Sequence, residues 1–216
     1  MKKFLVSLAA ATALVSASPA SANDQQAVNW SGWYAGIFAN YSSGNLNAHP
    51  IHFTAPINDD GGVFGLLGGY RMQTSNDVVY GVQLNVPVVA GKGSSFTFAG
   101  NETATMRFAA IVTGQVGRAY GPWLPLVSFG GGFVSVRSTN AIGAPTSQTV
   151  THPALTAGLG VNYAVTENVA VGARYNYTKI FRRAHVTTFN AATDNRFGAE
   201  LHSFGAVLEF KLPIGN

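Results

Sequence analysis

The feature that most constrains this chain is the period-two alternation of its last extended stretch, Ser203 to Leu212. Phe204, Ala206, Leu208, Phe210 and Leu212 fall on one face of an extended backbone, and Gly205, Val207, Glu209 and Lys211 on the other. The same ribbon recurs upstream. Tyr80, Val82, Leu84, Val86 and Val88 alternate with Gly81, Gln83, Asn85 and Pro87, while Val169, Val171, Ala173, Tyr175 and Tyr177 alternate with Gly172, Arg174 and Asn176. An amide-bearing face opposite a continuous aliphatic one does not suit the core of a soluble sandwich. It suits a sheet closed on itself and turned inside out, with apolar side chains toward lipid and polar ones lining a lumen.

Residues 1–22 read differently. Lys2 and Lys3 precede the apolar run Phe4 to Val15, and Ala20-Ser21-Ala22 supplies a small-x-small cleavage site before Asn23. These are the parts of a secretory signal peptide, cleaved after Ala22, which leaves residues 23–216 as one barrel domain. Hydrophobic residues make up 47% of the chain and charged ones only 10%, yet no stretch after the leader suits a membrane helix. The nearest, Ala119 to Val136, carries Pro122, Pro125 and the triplet Gly130-Gly131-Gly132, which break and weaken a helix. The formal charge of +4 includes Lys2 and Lys3, so the exported part carries +2 (4 minus 2). That is too small and too scattered for a nucleic-acid partner. With no cysteine, disulfides and thiolate chemistry are excluded.

Eight strands are expected: 33–43, 62–71, 80–88, 105–118, 124–135, 155–163, 169–178 and 203–212. In the fourth, parity sends Met106, Phe108, Ala110, Val112 and Val116 outward and Arg107, Thr113 and Gln115 inward. The connections alternate long and short: loops at 45–60, 91–102, 140–151 and 179–195, and tight turns at 74–77, 119–123 and 165–168. An all-β, eight-stranded antiparallel transmembrane barrel with short periplasmic turns and four longer extracellular loops accounts for this, and an even strand number puts both termini in the periplasm.

The same parity fills the lumen with Arg71, Arg107, Arg174 and Lys211 against Glu209, among the amides Asn40, Gln83, Asn85 and Asn162. Charges in a narrow barrel need partners or water. One reading is a structural polar core, because eight strands leave room mainly for side chains; the other is a narrow water-filled pore with anion preference. Glu209 is expected to meet Arg174 on the neighbouring strand. Aromatics at both ends of the apolar faces mark the two membrane boundaries: Trp33, Tyr41, Tyr70, Tyr80, Trp123, Tyr163, Tyr175 and Phe210. His49 and His52 in the first loop and His185 in the fourth, with His152 near the third, are candidate ligands for a metal or haem, or else simply solvated. Glu200, His202 and Ser203 tempt a catalytic reading, but neighbours on a strand point to opposite faces and cannot share a proton. Gly91-Lys92-Gly93-Ser94 lacks the spacing and the following helix of a phosphate loop. No enzyme and no cofactor are expected.

Trp30-Ser31-Gly32-Trp33-Tyr34-Ala35-Gly36, Gly65-Leu66-Leu67-Gly68-Gly69-Tyr70, Gly81-Val82-Gln83, Leu124 to Gly131 and Gly158 to Ala164 together resemble the small eight-stranded outer-membrane barrels of the OmpA/OmpX type. The chain is most similar to their alphaproteobacterial surface-antigen branch, the porin family, over nearly the whole exported part. The resemblance implies a bacterial outer-membrane location and an envelope-structural, surface-antigen role. It also implies contact with outer-membrane lipid and lipopolysaccharide, and assembly by the barrel-assembly machinery. A narrow porin-like channel, or an adhesin or haemin binder using a host or small-molecule ligand at the loops, are the alternatives. Two departures stand out. Family members often carry a carboxylate where this chain has Gln83 and Asn162, and most end on an aromatic residue where this chain has Leu212 followed by Pro213-Ile214-Gly215-Asn216.

Overall fold

A computed structural model describes residues 28–49, 53–56, 61–90, 95–98, 102–140, 146–185 and 195–213. Ten strands appear among them, and no helix. The strands are β1 (Gly32–His49), β2 (Phe53–Pro56), β3 (Gly61–Gln73), β4 (Val78–Ala90) and β5 (Ser95–Phe98). They continue as β6 (Glu102–Arg118), β7 (Trp123–Asn140), β8 (Thr146–Ala164), β9 (Val169–His185) and β10 (Asn195–Lys211). Eight of them pair in the order β10-β9-β8-β7-β6-β4-β3-β1, and β1 also pairs β10, so the sheet closes into an antiparallel barrel. The short β2 and β5 hang on β1 and β6 outside this ring.

Closure runs from Tyr34↔Lys211 to His49↔Arg196, with the Ser42 and Ser203 hydroxyls 2.8 Å apart across the seam. At one end the chain reverses in tight turns. Asp77 adopts φ 62° while its N–H donates to Thr74 O, and Gly121 adopts φ 57° beside the Tyr120↔Trp123 bridge. A left-handed residue is what such a turn needs, and Asp and Gly are residue types that supply it.

Two expectations are corrected. Much of the backbone expected as loop is strand: β1 runs on to His49, β8 begins at Thr146, β9 reaches His185 and β10 begins at Asn195. Crossing a bilayer takes roughly 9–11 residues per strand. The 18 and 19 residues of β7 and β8 therefore carry their hairpin well beyond it. The second correction is one of parity. The β6–β7 register shifts between Met106 and Phe108, so Arg107 is the extra residue of a bulge. Met106 consequently turns inward against the upper core, and Arg107 is exposed rather than lumenal.

The inverted pattern itself holds. Trp33, Ile37, Leu66, Val82, Leu84, Phe129 and Leu159 are all exposed on the outer wall, whereas Gln83, Asn162, Arg174 and Glu209 are buried. The interior is layered. Trp30, Val79, Leu124 and Leu126 pack together at the turn end; Tyr34, Phe38, Leu67 and Val207 pack further up; Ala109, Val134, Val136, Ala154 and Ile180 close the upper part.

Candidate functional site

Between the apolar layers lies a buried ionic cluster built by every barrel strand except β7. Arg71 (β3) grips Glu209 (β10) with two parallel bonds, Nη1 to Oε2 at 2.6 Å and Nη2 to Oε1 at 3.0 Å. Arg174 (β9) donates Nη2 to Glu209 Oε1 at 3.2 Å and Nη1 to Asn162 Oδ1 at 2.6 Å. Asn162 (β8) in turn donates Nδ2 to Glu209 Oε2 at 2.8 Å. The carboxylate thus accepts four bonds, the number its lone pairs allow. The fork geometry of the Arg71 pair is the strongest form such a contact takes.

The cluster continues through amides. Arg71 donates to Gln115 Oε1 (β6), Gln115 Nε2 to Gln83 Oε1 at 2.8 Å (β4), and Gln83 Nε2 to Asn85 Oδ1 at 2.7 Å. Tyr34 (β1) donates its hydroxyl to Gln83 Oε1 at 3.1 Å and lays its ring under Arg71, whose guanidinium carbon is 3.9 Å from the ring centroid. Room for the arginines comes from facing glycines. A Cβ on Gly160 would lie 2.6 Å from Arg174 Cδ, and one on Gly81 would lie 2.9 Å from Arg71 Cγ. The three charges sum to +1, so one positive charge of the cluster is unmatched.

Below the cluster the chain entering β1 folds into the turn-end mouth. Trp30 is 8% exposed, its backbone N–H donates to Gln73 Oε1 at 2.8 Å, and Ser31 Oγ accepts from the Gln73 backbone N–H at 2.8 Å. Lys211 Nζ bonds Asn29 O at 3.0 Å. A cavity of about 30 Å³ remains between Trp30, Tyr34, Arg71 and Glu209, space for about one water. The Trp30 indole N–H has no partner, and neither does Asn40 Oδ1 higher in the barrel.

The structure thus gathers Arg71, Gln83, Asn85, Arg174 and Glu209 into one network and leaves two predicted members out. Arg107 sits in its bulge, and Lys211 caps the mouth instead of lining the core. Arg174 does meet Glu209, but the tighter partner is Arg71, from a strand that lies one beyond the β1 seam. Sequence reading passed over Tyr34 and Trp30. Tyr34 shares the parity of Gly36 and Phe38, which marks it as lumenal; Trp30 precedes the first strand and carries no periodic signal.

Of the expected boundary aromatics, Trp33, Tyr70, Tyr80, Trp123, Tyr163 and Phe210 are exposed at the turn end. Trp33 packs against Tyr70 with centroids 5.1 Å apart and ring planes tilted by 58°, and Trp123 against Tyr163 at 4.7 Å and 57°, both cross-strand pairs. Tyr41 and Tyr175 lie toward the opposite end on the outer face. His152 is fully buried among upper lumenal residues with Nδ1 3.1 Å from Phe181 O, a correction to its place near a loop. The backbone of His49 and of His185 lies at strand tips, opposite Arg196 and Asn195, and His52 falls outside the described residues. Ser203 points inward to Ser42 while His202 is exposed on the outer face, as alternation requires.

Three solved structures align with the chain at low identity. Neisserial surface protein A aligns at 21% identity over 84% of this chain and 98% of its own, with a TM-score of 0.48. Ail, the attachment invasion locus protein of Yersinia pestis, solved with the heparin analogue sucrose octasulfate, aligns at 14% identity over 83% and 99%, TM-score 0.43. OprG of Pseudomonas aeruginosa aligns at 9% identity over 87% and 100%, TM-score 0.48. No curated protein matches the sequence. The family described as the outer membrane protein beta-barrel domain matches residues 7–210, and the chain belongs to it.

Proposed function

We propose that this protein is a non-catalytic structural barrel of the bacterial outer membrane that strengthens the envelope and presents its long strand pairs as a surface antigen. The observation that carries this reading is the filled lumen. Trp30 and its neighbours, the Arg71–Glu209–Arg174 cluster and the upper apolar layer succeed one another along the axis. A channel needs a continuous wet path, and interlocked side chains at several levels oppose one. Folded protein inserted in a planar bilayer is expected to give no steady ionic current. A reproducible unit conductance would overturn the reading in favour of a narrow diffusion channel.

The absence of catalysis is part of the proposal. Its support is the split of His202 and Ser203 between opposite faces. A second reading, an adhesin or haemin binder, draws on the hairpins that rise past the bilayer, as in the Asn140↔Thr146 pairing of β7 with β8. His49, His52 and His185 would be its ligands, and equal haemin binding by the triple variant His49→Ala/His52→Ala/His185→Ala would remove it. We further propose cleavage after Ala22, so that the mature protein begins at Asn23, with insertion by the barrel-assembly machinery and descent from the alphaproteobacterial branch.

A further inference from the structure

The turn-end cavity beside the ionic cluster is lined by hydrogen-bond donors that the network leaves unused. It lies between Trp30, Tyr34, Arg71, Glu209 and Lys211 and measures about 30 Å³, room for one small particle. Trp30 is more than nine-tenths buried, and its indole N–H has no partner. Of the five N–H groups of Arg71, the one on Nε goes to Gln115 Oε1 and the two on Nη2 go to Gln115 Oε1 and Glu209 Oε1. One on Nη1 goes to Glu209 Oε2, which leaves the second Nη1 hydrogen uncommitted. Lys211 gives one of its three ammonium hydrogens to Asn29 O and keeps two.

Acceptors are scarce around the same space. Each Glu209 oxygen already takes two donors: Oε1 from Arg71 and Arg174, Oε2 from Arg71 and Asn162. Asn29 Oδ1 accepts the Ser31 N–H, and Thr166 Oγ1 accepts the N–H groups of Asn168 and Val169. Glu167, the other lining carboxylate, is exposed in its turn. A water molecule placed here could accept two hydrogen bonds but would have poor outlets for its own hydrogens, whereas an anion accepts from every side. Charge points the same way. Arg71 and Arg174 face Glu209 alone in the buried cluster, which leaves +1, and at the mouth Lys211 is offset by Glu167.

We infer that this cavity is a binding site for a monatomic halide such as chloride, held by the Trp30 indole N–H, the uncommitted Arg71 Nη1–H and the Lys211 ammonium. The volume excludes sulfate, phosphate and carboxylates, which need more room. Exposed Thr166, Glu167 and Asn168 line its outer side, so the ion enters from the turn end without crossing the cluster. Once bound, it neutralises the excess charge of the cluster and ties the segment from Val28 to Ser31 to the barrel interior. The site does not depend on whether the lumen conducts, because the ion enters and leaves on one side.

The test uses the folded protein in uncharged detergent micelles. Thermal unfolding is followed at constant ionic strength while sodium chloride or sodium bromide replaces sodium gluconate, whose anion is too large to enter. Both halides are expected to raise Tm in a saturable way. Trp30→Phe removes the indole N–H and keeps an aromatic ring, and it should need about tenfold more halide for half of the effect. Crystals soaked in bromide should show an anomalous-scattering peak between Trp30 and Arg71. A Tm that does not change as chloride replaces gluconate overturns the site, and so does an equal halide response in Trp30→Phe. If Trp30→Phe fails to fold, the bromide map of the unaltered protein decides the matter, since cavity density without anomalous signal would mean a water molecule and overturn the site.

Discussion

Glu209 holds two arginines that have no other carboxylate among the described residues, and this asymmetry orders the consequences of mutation. Glu209→Gln leaves both guanidinium groups buried and unmatched, which costs about 3–5 kcal/mol. Arg174→Gln leaves Arg71 and Glu209 as a neutral bidentate pair, so its cost should be smaller, about 1–2 kcal/mol. Arg71→Gln falls between, since it removes the fork and the contact with Tyr34 but leaves Arg174 as counter-ion. Equilibrium urea unfolding of the three variants in micelles checks the order, with Ser75→Ala in a tight turn as a control expected within about 0.5 kcal/mol. Alternation alone marks Glu209, Arg174 and Arg71 as inward. It does not say which arginine holds the carboxylate, because the Arg71 contact spans β1 and depends on how far each strand is staggered. Arg107 was misplaced for a related reason: a bulge reverses parity at one residue and leaves no compositional mark.

At the scale of strands, every wall segment was visible where one face meets lipid and the other does not. Beyond the bilayer that contrast is gone, since both faces meet water. Asn45 to His49 and Thr146 to Thr151 therefore look like loop by composition although their backbones are paired. The seam between β4 and β6 is the shortest of the wall, with pairing from Val78↔Arg118 only as far as Asn85↔Ile111. Above it, Val86 to Ala90 bond β3 alone, with a register shift opposite Phe64 and Gly65, and Pro87 sits there, where a missing N–H is tolerated. Amide hydrogen exchange followed by NMR in micelles should show fast exchange for about half of the amides of Val86 to Ala90, those whose N–H points away from β3, while Gln83 to Asn85 stay protected. Uniform protection along β4 would mean that the seam continues upward.

Among the described residues the barrel wall encloses packed side chains, with two successive layers toward the turn end. The Trp30 layer and the ionic cluster are separate barriers, so removing one should not open a path. Trp30→Ala is expected to lower stability by about 3 kcal/mol, as loss of a buried indole does, and still to give no steady bilayer current. A current from that variant alone would assign the seal to Trp30 rather than to the arginine–glutamate cluster. Closure of the ring was legible from an even strand number and the alternation of turn lengths, whereas the inward fold of Val28 to Ser31 was not. The hydrogen bonds between β1 and β10 also govern the order of birth. The opening strand finds its permanent neighbour only when the last residues have been delivered, and until then both rims are raw templates for aggregation. A message truncated before codon 195 should therefore yield no smaller barrel, only a polypeptide destined for periplasmic proteolysis.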